Sequence, residues 1–319
     1  MNFKYVFGPV PSGRLGRSLG LDLLGNAICD FDCLYCEVGR TRIHTQERKP
    51  WVPAHAILQE LEQWLQLDRP KPDFITLGGK GEPCLNSDMG AIIEGVHTLA
   101  PDIPVAVLTN ATLLADPEVQ KKLSAAQVVL PSMDTLVETE FIRLNKPCPG
   151  LTLAGISQGI LDWASHFAGK IYLEILLVAG INDTEKNLEK LTTFCHKLQP
   201  NRIDVVTMTR PGADIAAHPV DHTTLALWQS ALGAQHTLIS ASDLSKRGAP
   251  ICIQPDQLEK AIINSITIRP QTPAQIAAAM GTRLVDVEKI LSRLLKIGHI
   301  IRITQDNEWY YSLANQEKG

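Results

Sequence analysis

Cys29-Asp30-Phe31-Asp32-Cys33-Leu34-Tyr35-Cys36 places three thiols at C-x3-C-x2-C spacing. That is one cysteine short of a closed four-thiolate site. Three thiolates can hold three irons of a [4Fe–4S] cluster and leave the fourth iron open to a ligand. Two plainer readings stand beside it. One is a zinc site with His44 or Cys84 as fourth ligand. The other is three unrelated core thiols.

Around this stretch the chain alternates. Apolar runs at 19–24, 74–77, 105–108, 128–130, 171–178 and 203–206 read as strands. Helical periodicity falls between them, over 54–67, 89–99, 116–123, 151–167, 184–198 and 221–232. Alternating strands and helices imply right-handed βαβ units around a parallel sheet. Six strands are too few for a closed eight-stranded barrel, so the expected fold is α/β, a partial (β/α)6 TIM barrel. Polar and Gly-rich residues follow the strands, where α/β folds place their sites. Residues 1–18 read as a loop, because Gly8, Pro9, Pro11 and Gly13 break regular structure.

From residue 256 the pattern changes. Three short helices, over 258–266, 272–281 and 284–297, precede two alternating runs at 299–304 and 309–313. That is a winged-helix pattern. The expected domains are 1–250 for the barrel and 251–319 for the winged helix, joined across 233–255 with Gly248, Pro250 and Pro255 as breakers. Residues 256–319 hold eight Lys or Arg against seven Asp or Glu. A DNA reader shows a stronger basic face. The expectation is a unit that docks on the barrel or recruits a partner, and no sequence-specific DNA binding.

The chain has 319 residues, of which 45% are hydrophobic and 20% charged, with net charge −4. It is long enough for a large core, and no overall basic field points to nucleic acid. Seven cysteines in this length do not make a disulfide scaffold, and three in one octapeptide argue for metal in a reducing compartment. Cys84, Cys148, Cys195 and Cys252 are scattered and read as small buried hydrophobes. No apolar run of about 18 residues is present. A cytoplasmic protein with no membrane partner is expected.

The cysteine stretch resembles the signature of radical S-adenosylmethionine (SAM) enzymes, in which an aromatic residue, here Tyr35, commonly precedes the third cysteine. Gly78-Gly79-Lys80-Gly81-Glu82-Pro83 is similar to their Gly-x-Gly-Glu-Pro turn, with Lys80 at the variable position. The resemblance implies that Cys29, Cys33 and Cys36 hold a [4Fe–4S] cluster. It implies that Gly78, Gly79, Gly81 and Glu82 hold the SAM amine, that Asn110 meets its carboxylate or ribose, and that Ser132 and Asp134 suit the ribose hydroxyls. Two cations compete at that turn, so the Lys80 side chain is expected to point away from the amine.

Residues 7–20, with Arg14 and Arg17, resemble the Fe–S oxidoreductases grouped with archaeal tRNA wyosine synthases. Asn145-Lys146-Pro147 and Thr209-Arg210-Pro211 match that group's later loops, and the likeness covers about residues 5–215. Wyosine synthases space their cysteines differently. The family reading implies reductive SAM cleavage, a 5′-deoxyadenosyl radical and an electron donor such as flavodoxin or ferredoxin. It leaves the substrate unidentified, whether tRNA base, peptide or small metabolite. The rival from another class is a zinc-binding winged-helix regulator with a ligand-sensing barrel. Glu174, Asn182, Asp183 and Arg210 share the same rim, either as ligand contacts or as turn caps.

Overall fold

Seven strands form one sheet in the order β1-β2-β5-β6-β7-β8-β9. They are β1 (Val6–Ser12), β2 (Gly16–Leu21), β5 (Phe74–Leu77), β6 (Val105–Thr109), β7 (Val128–Pro131), β8 (Lys170–Leu177) and β9 (Arg202–Thr207), while the short strands β3 (Ile28–Cys29) and β4 (Ile43–His44) pair with each other apart from it. The computed structural model describes residues 3–67, 71–234, 255–305 and 308–314. Residues 235–254 of the linker expected at 233–255, with Cys252, and the turn at 306–307 lie outside the described residues. From β2 to β9 every pairing is parallel. Helices α1 (Ala54–Leu65), α2 (Met89–Leu99), α3 (Pro117–Leu123), α4 (Glu138–Asn145), α5 (Leu153–Ala164), α6 (Glu185–Leu198) and α7 (His222–Ala231) connect or follow these strands. The sheet begins at β1 and ends at β9 without closing, so the expected partial TIM barrel is what forms.

Strand alternation sorts the core into layers. Ile171, Leu173, Ile175 and Leu177 of β8 join the main core, which also holds Trp163, Leu191 and Phe194. The intervening Tyr172 belongs instead to a second cluster with Leu15, Ala106, Leu108, Val128 and Leu130. That cluster fills the inner face of the sheet. A third cluster, Leu34, Leu144, Val178, Ile181, Met208 and Ala217, lies at the C-terminal ends of the strands and anchors the cysteine loop.

Three sequence expectations need correction. Residues 6–12 are a strand antiparallel to β2. Its prolines are tolerated because β1 is an edge strand with a register shift between Phe7 and Val10. The first parallel strand runs over Gly16–Leu21 and not 19–24. It stops where Asp22 Oδ1 accepts the amides of Leu24 and Gly25, each at 3.2 Å. Helix α4 was not expected, since its charged sequence starts at Val137 without a side-chain cap.

The C-terminal segment contains α8 (Pro255–Ile268), α9 (Pro273–Met280) and α10 (Leu284–Lys296), then the antiparallel ribbon β10 (Ile300–Gln305) and β11 (Glu308–Leu313). Thr272 and Gln275 form a capping box on α9, and Gly281 closes it in a left-handed conformation. Val287, Leu291 and Leu294 put one face of α10 into a core with Leu258, Ile262, Ile266 and Ile276. Each such side chain contributes about 1.5–3 kcal/mol by burial. The segment touches both edges of the sheet. Asn264 Nδ2 donates to the Phe3 carbonyl at 3.0 Å beside β1, and Tyr310 Oη donates to the Thr209 carbonyl at 2.9 Å just beyond β9. Among the described residues, no helix is long and apolar enough to cross a membrane.

Candidate active site

The cysteine loop leaves the barrel after β2 and is stitched down on two sides. On one side, the Ile28 amide donates to the Lys80 carbonyl at 3.0 Å and the Glu82 amide to the Ile28 carbonyl at 3.1 Å. This short bridge joins the cysteines to the Gly78–Pro83 turn. Gly81 is required there. Its φ is +152°, and a Cβ would overlap the Ile28 carbonyl oxygen. Gly81→Ala is therefore expected to cost at least about 3 kcal/mol in urea denaturation and to lower cluster retention. Wild-type stability would count against this account of the turn.

On the other side, the end of α4 runs along the loop. Asp32 N donates to Asn145 O at 3.0 Å, Leu34 N to Leu144 O at 2.9 Å, and Cys148 N to Asp30 O at 2.8 Å. Asp214 receives Arg40 at 2.8 Å, and its amide donates to the Leu34 carbonyl at 3.0 Å. The loop is held by backbone and charge together.

The three thiols are half-buried and unbridged. Side-chain amides face two of them: Asn110 Nδ2 lies 3.7 Å from Cys29 Sγ, and Asn145 Nδ2 lies 3.4 Å from Cys33 Sγ. Such donors stabilise thiolate sulfur and tune a bound cluster. Burial pushes the Cys36 thiol up to about 11 and the Cys29 and Cys33 thiols further up. Loading with iron therefore releases protons.

Both residues named as a fourth zinc ligand have other partners. His44 Nε2 pairs with the Asp30 carbonyl at 3.1 Å, and the Cys84 thiol points at Thr109 Oγ1 at 3.6 Å. Among the described residues, no three His, Cys, Asp or Glu side chains converge to hold a single ion.

Tyr35, Asn110, Ser132 and Asp134, singled out on three separate segments, line one cavity together with Phe31 and Asn145. Tyr35 Oη donates to Asp134 Oδ2 at 2.5 Å. Asp134 also accepts the Leu176 amide and Asn145 Nδ2, at 2.9 and 3.3 Å. Glu82, 2% exposed, sits behind Asn110. Its carboxylate accepts the Asn110 amide at 2.7 Å, the Thr109 hydroxyl at 2.8 Å and the Cys84 amide at 3.0 Å. Burial, with Asp30 nearby, pushes Glu82 up to about 7. Gly78 and Gly79 extend the same turn; a Cβ on Gly79 would crowd Asp22. Lys80 Nζ is 3.7 Å from Asp22 Oδ2, an ion pair below the turn.

Two residues that the motif reading passed over matter here. Asp30, fully buried, accepts Asn110 Nδ2 at 2.6 Å and Thr112 Oγ1 at 2.5 Å. Glu37, directly after Cys36, accepts Arg210 at 3.1 and 3.2 Å and Arg269 at 3.4 Å. Burial alone would raise its carboxyl, but the two guanidiniums hold it at about 2. Both fall at positions that the cysteine spacing leaves variable.

Residues 25–194 match the Radical SAM superfamily. The chain is 35% identical over 212 residues to UPF0026 protein slr1464 of Synechocystis, spanning 66% of this chain and 77% of that protein. It is 26% identical to UPF0026 protein MJ1312 of Methanocaldococcus jannaschii, over 96% and 95% of the two chains. A Brachyspira hyodysenteriae protein named GTPase Obg is 28% identical over 93% of this chain, which spans only 43% of that protein. A radical SAM methyltransferase from Sphaerobacter thermophilus shares the fold with TM-score 0.53 and 13% identity, covering 68% of this chain and 63% of its own. With the three-cysteine loop bridged to the glycine-rich turn at the mouth of an open barrel, the chain belongs to the radical SAM superfamily, whose cofactors are a [4Fe–4S] cluster and SAM, and to its UPF0026 proteins.

Proposed function

We propose that this protein is a radical SAM enzyme that cleaves SAM reductively and abstracts hydrogen from a substrate not yet identified. The observation that carries this reading is the cavity lined by Tyr35, Asn110, Ser132 and Asp134, with Asn110 facing both Cys29 and Asp30. Cys29, Cys33 and Cys36 would hold the cluster. When bound and reduced, the cluster supplies the electron that splits SAM into methionine and a 5′-deoxyadenosyl radical.

The chain's own residues place SAM and keep water out. The turn at Gly78, Gly79 and Gly81 would hold the SAM amine, and Glu82 fixes that turn against Asn110. Asn110, Ser132 and Asp134 would meet the carboxylate and ribose, while Phe31 and Tyr35 wall the cavity. Residues 251–319 are read as a winged-helix domain docked on a barrel of residues 1–250, supported by its separate apolar core. A low-potential donor such as flavodoxin or ferredoxin in the cytoplasm would supply electrons. Kinship with wyosine synthases rests on the sequence likeness alone. A zinc-binding regulator gains no support from the donor set.

The test is anaerobic reconstitution with iron and sulfide, then incubation with SAM and dithionite. Formation of 5′-deoxyadenosine by a brown protein is expected. Stoichiometric zinc with no 5′-deoxyadenosine would overturn the reading.

A further inference from the structure

Three guanidiniums from distant segments meet beside the cysteine loop. Arg14, in the turn between β1 and β2, pairs with Glu174 on the inner face of β8. Arg210 follows β9, and Arg269 follows α8; both donate to Glu37. Arg202 of β9 stacks on Tyr172 at 3.8 Å and binds Asp204 at 2.8 Å. Among the described residues, Arg14, Arg202, Arg210 and Arg269 gather around Glu37, Glu174 and Asp204, four cations against three anions.

The surplus charge is recessed. Arg210 and Arg269 side chains are 12% and 21% exposed. The Nε atoms of both are buried and have no acceptor among the described residues. A self-sufficient structural network would leave neither an extra cation nor two buried N–H groups unmatched. A guanidinium presents its donors in a planar fork that fits the oxygens of a carboxylate or phosphate. The loop carrying Arg210 packs directly on the cysteine loop, since a Cβ on Gly212 would stand 2.8 Å from the Leu34 carbonyl and 2.9 Å from Tyr35 Cα. An oxyanion bound here is held next to the radical site. Arg269 reaches it from the C-terminal segment, which bridges the β1 and β9 edges of the open sheet.

We propose that Arg14, Arg210 and Arg269 anchor an oxyanion group of the substrate, a phosphate or a carboxylate, and that the C-terminal unit completes this site through Arg269. Naming the ligand a substrate rests on the radical SAM reading; the arginine cluster itself does not. Burial and the neighbouring Arg210 hold Arg269 down to about 10, so it stays cationic at neutral pH.

The experiment is calorimetric titration of the reconstituted full-length protein with inorganic phosphate and, separately, acetate, against chloride at matched ionic strength. Millimolar or tighter binding of one probe is expected, weakened at least tenfold in Arg210→Gln and Arg269→Gln. Preference for phosphate assigns a phosphate-bearing substrate, and preference for acetate a carboxylate. If Arg269→Gln does not fold by circular dichroism, Arg269→Lys keeps the charge without the fork and is expected to bind more weakly than wild type. Binding of neither probe by wild type, or equal binding by wild type and folded variants, would refute the proposal. 5′-Deoxyadenosine formation by the same wild-type preparation reports separately on the cysteine loop, so the two readings fail independently.

Discussion

Cys33→Ala, and equally Cys29→Ala or Cys36→Ala, is expected to abolish iron retention and 5′-deoxyadenosine formation while the chain stays folded. Each thiolate would hold one iron, and Asn145 and Asn110 face sulfur atoms that no other side chain replaces. The fold itself does not need these sulfurs. They are half-buried, and the loop is held by backbone bonds to Asn145, Leu144 and Cys148 and by the Arg40 ion pairs. Far-ultraviolet circular dichroism should therefore match wild type while the reconstituted protein retains almost no iron. Wild-type iron and cleavage in Cys33→Ala would remove the basis of the cluster assignment.

Glu82 carries the second large effect. Glu82→Ala leaves the amides of Cys84 and Asn110 and the Thr109 hydroxyl without their acceptor in a buried site. Each of the three stranded donors costs about 1–3 kcal/mol, so a loss of at least about 3 kcal/mol is expected in urea denaturation of the apoprotein. Glu82→Gln keeps the shape and tests the charge. Burial raises the Glu82 carboxyl to about 7 in the folded chain, above its usual 4.5. The folded state thus binds the proton more tightly than the unfolded state. Its contribution is complete below about 4.5 and is lost as pH climbs through about 7, a change of up to about 3 kcal/mol. Wild-type apoprotein should weaken across that window, and Glu82→Gln should flatten the slope. The same slope in both proteins would place the titration elsewhere.

The barrel was legible because its signals are local. Alternating apolar runs show in consecutive residues, and the three thiols proposed to share one cluster fit in one octapeptide. The glycine-rich turn was legible for a related reason: only glycine tolerates the φ of Gly81 and its approach to the Ile28 carbonyl. Strand β1 was missed because local breaker rules misread it. Gly8, Pro9 and Pro11 argue against a strand unless that strand is an edge, and edge status depends on the order of the whole sheet.

Polar partnership was beyond the reach of any local pattern. Asn110 meets Asp30 across 80 positions, Asn145 meets Cys33 across 112, and Arg269 meets Glu37 across 232. In the chain, Asp30 and Glu37 are ordinary charged residues next to cysteines. Sequence alone determined the strand–helix alternation, the three-thiol loop and the turn that backs it. Tertiary structure alone decided which amides face the sulfurs, which carboxylate braces the turn and which arginines gather beside Cys36. The physical reason is that a polar side chain takes whichever partner the packing of the barrel brings within about 3 Å once water is excluded.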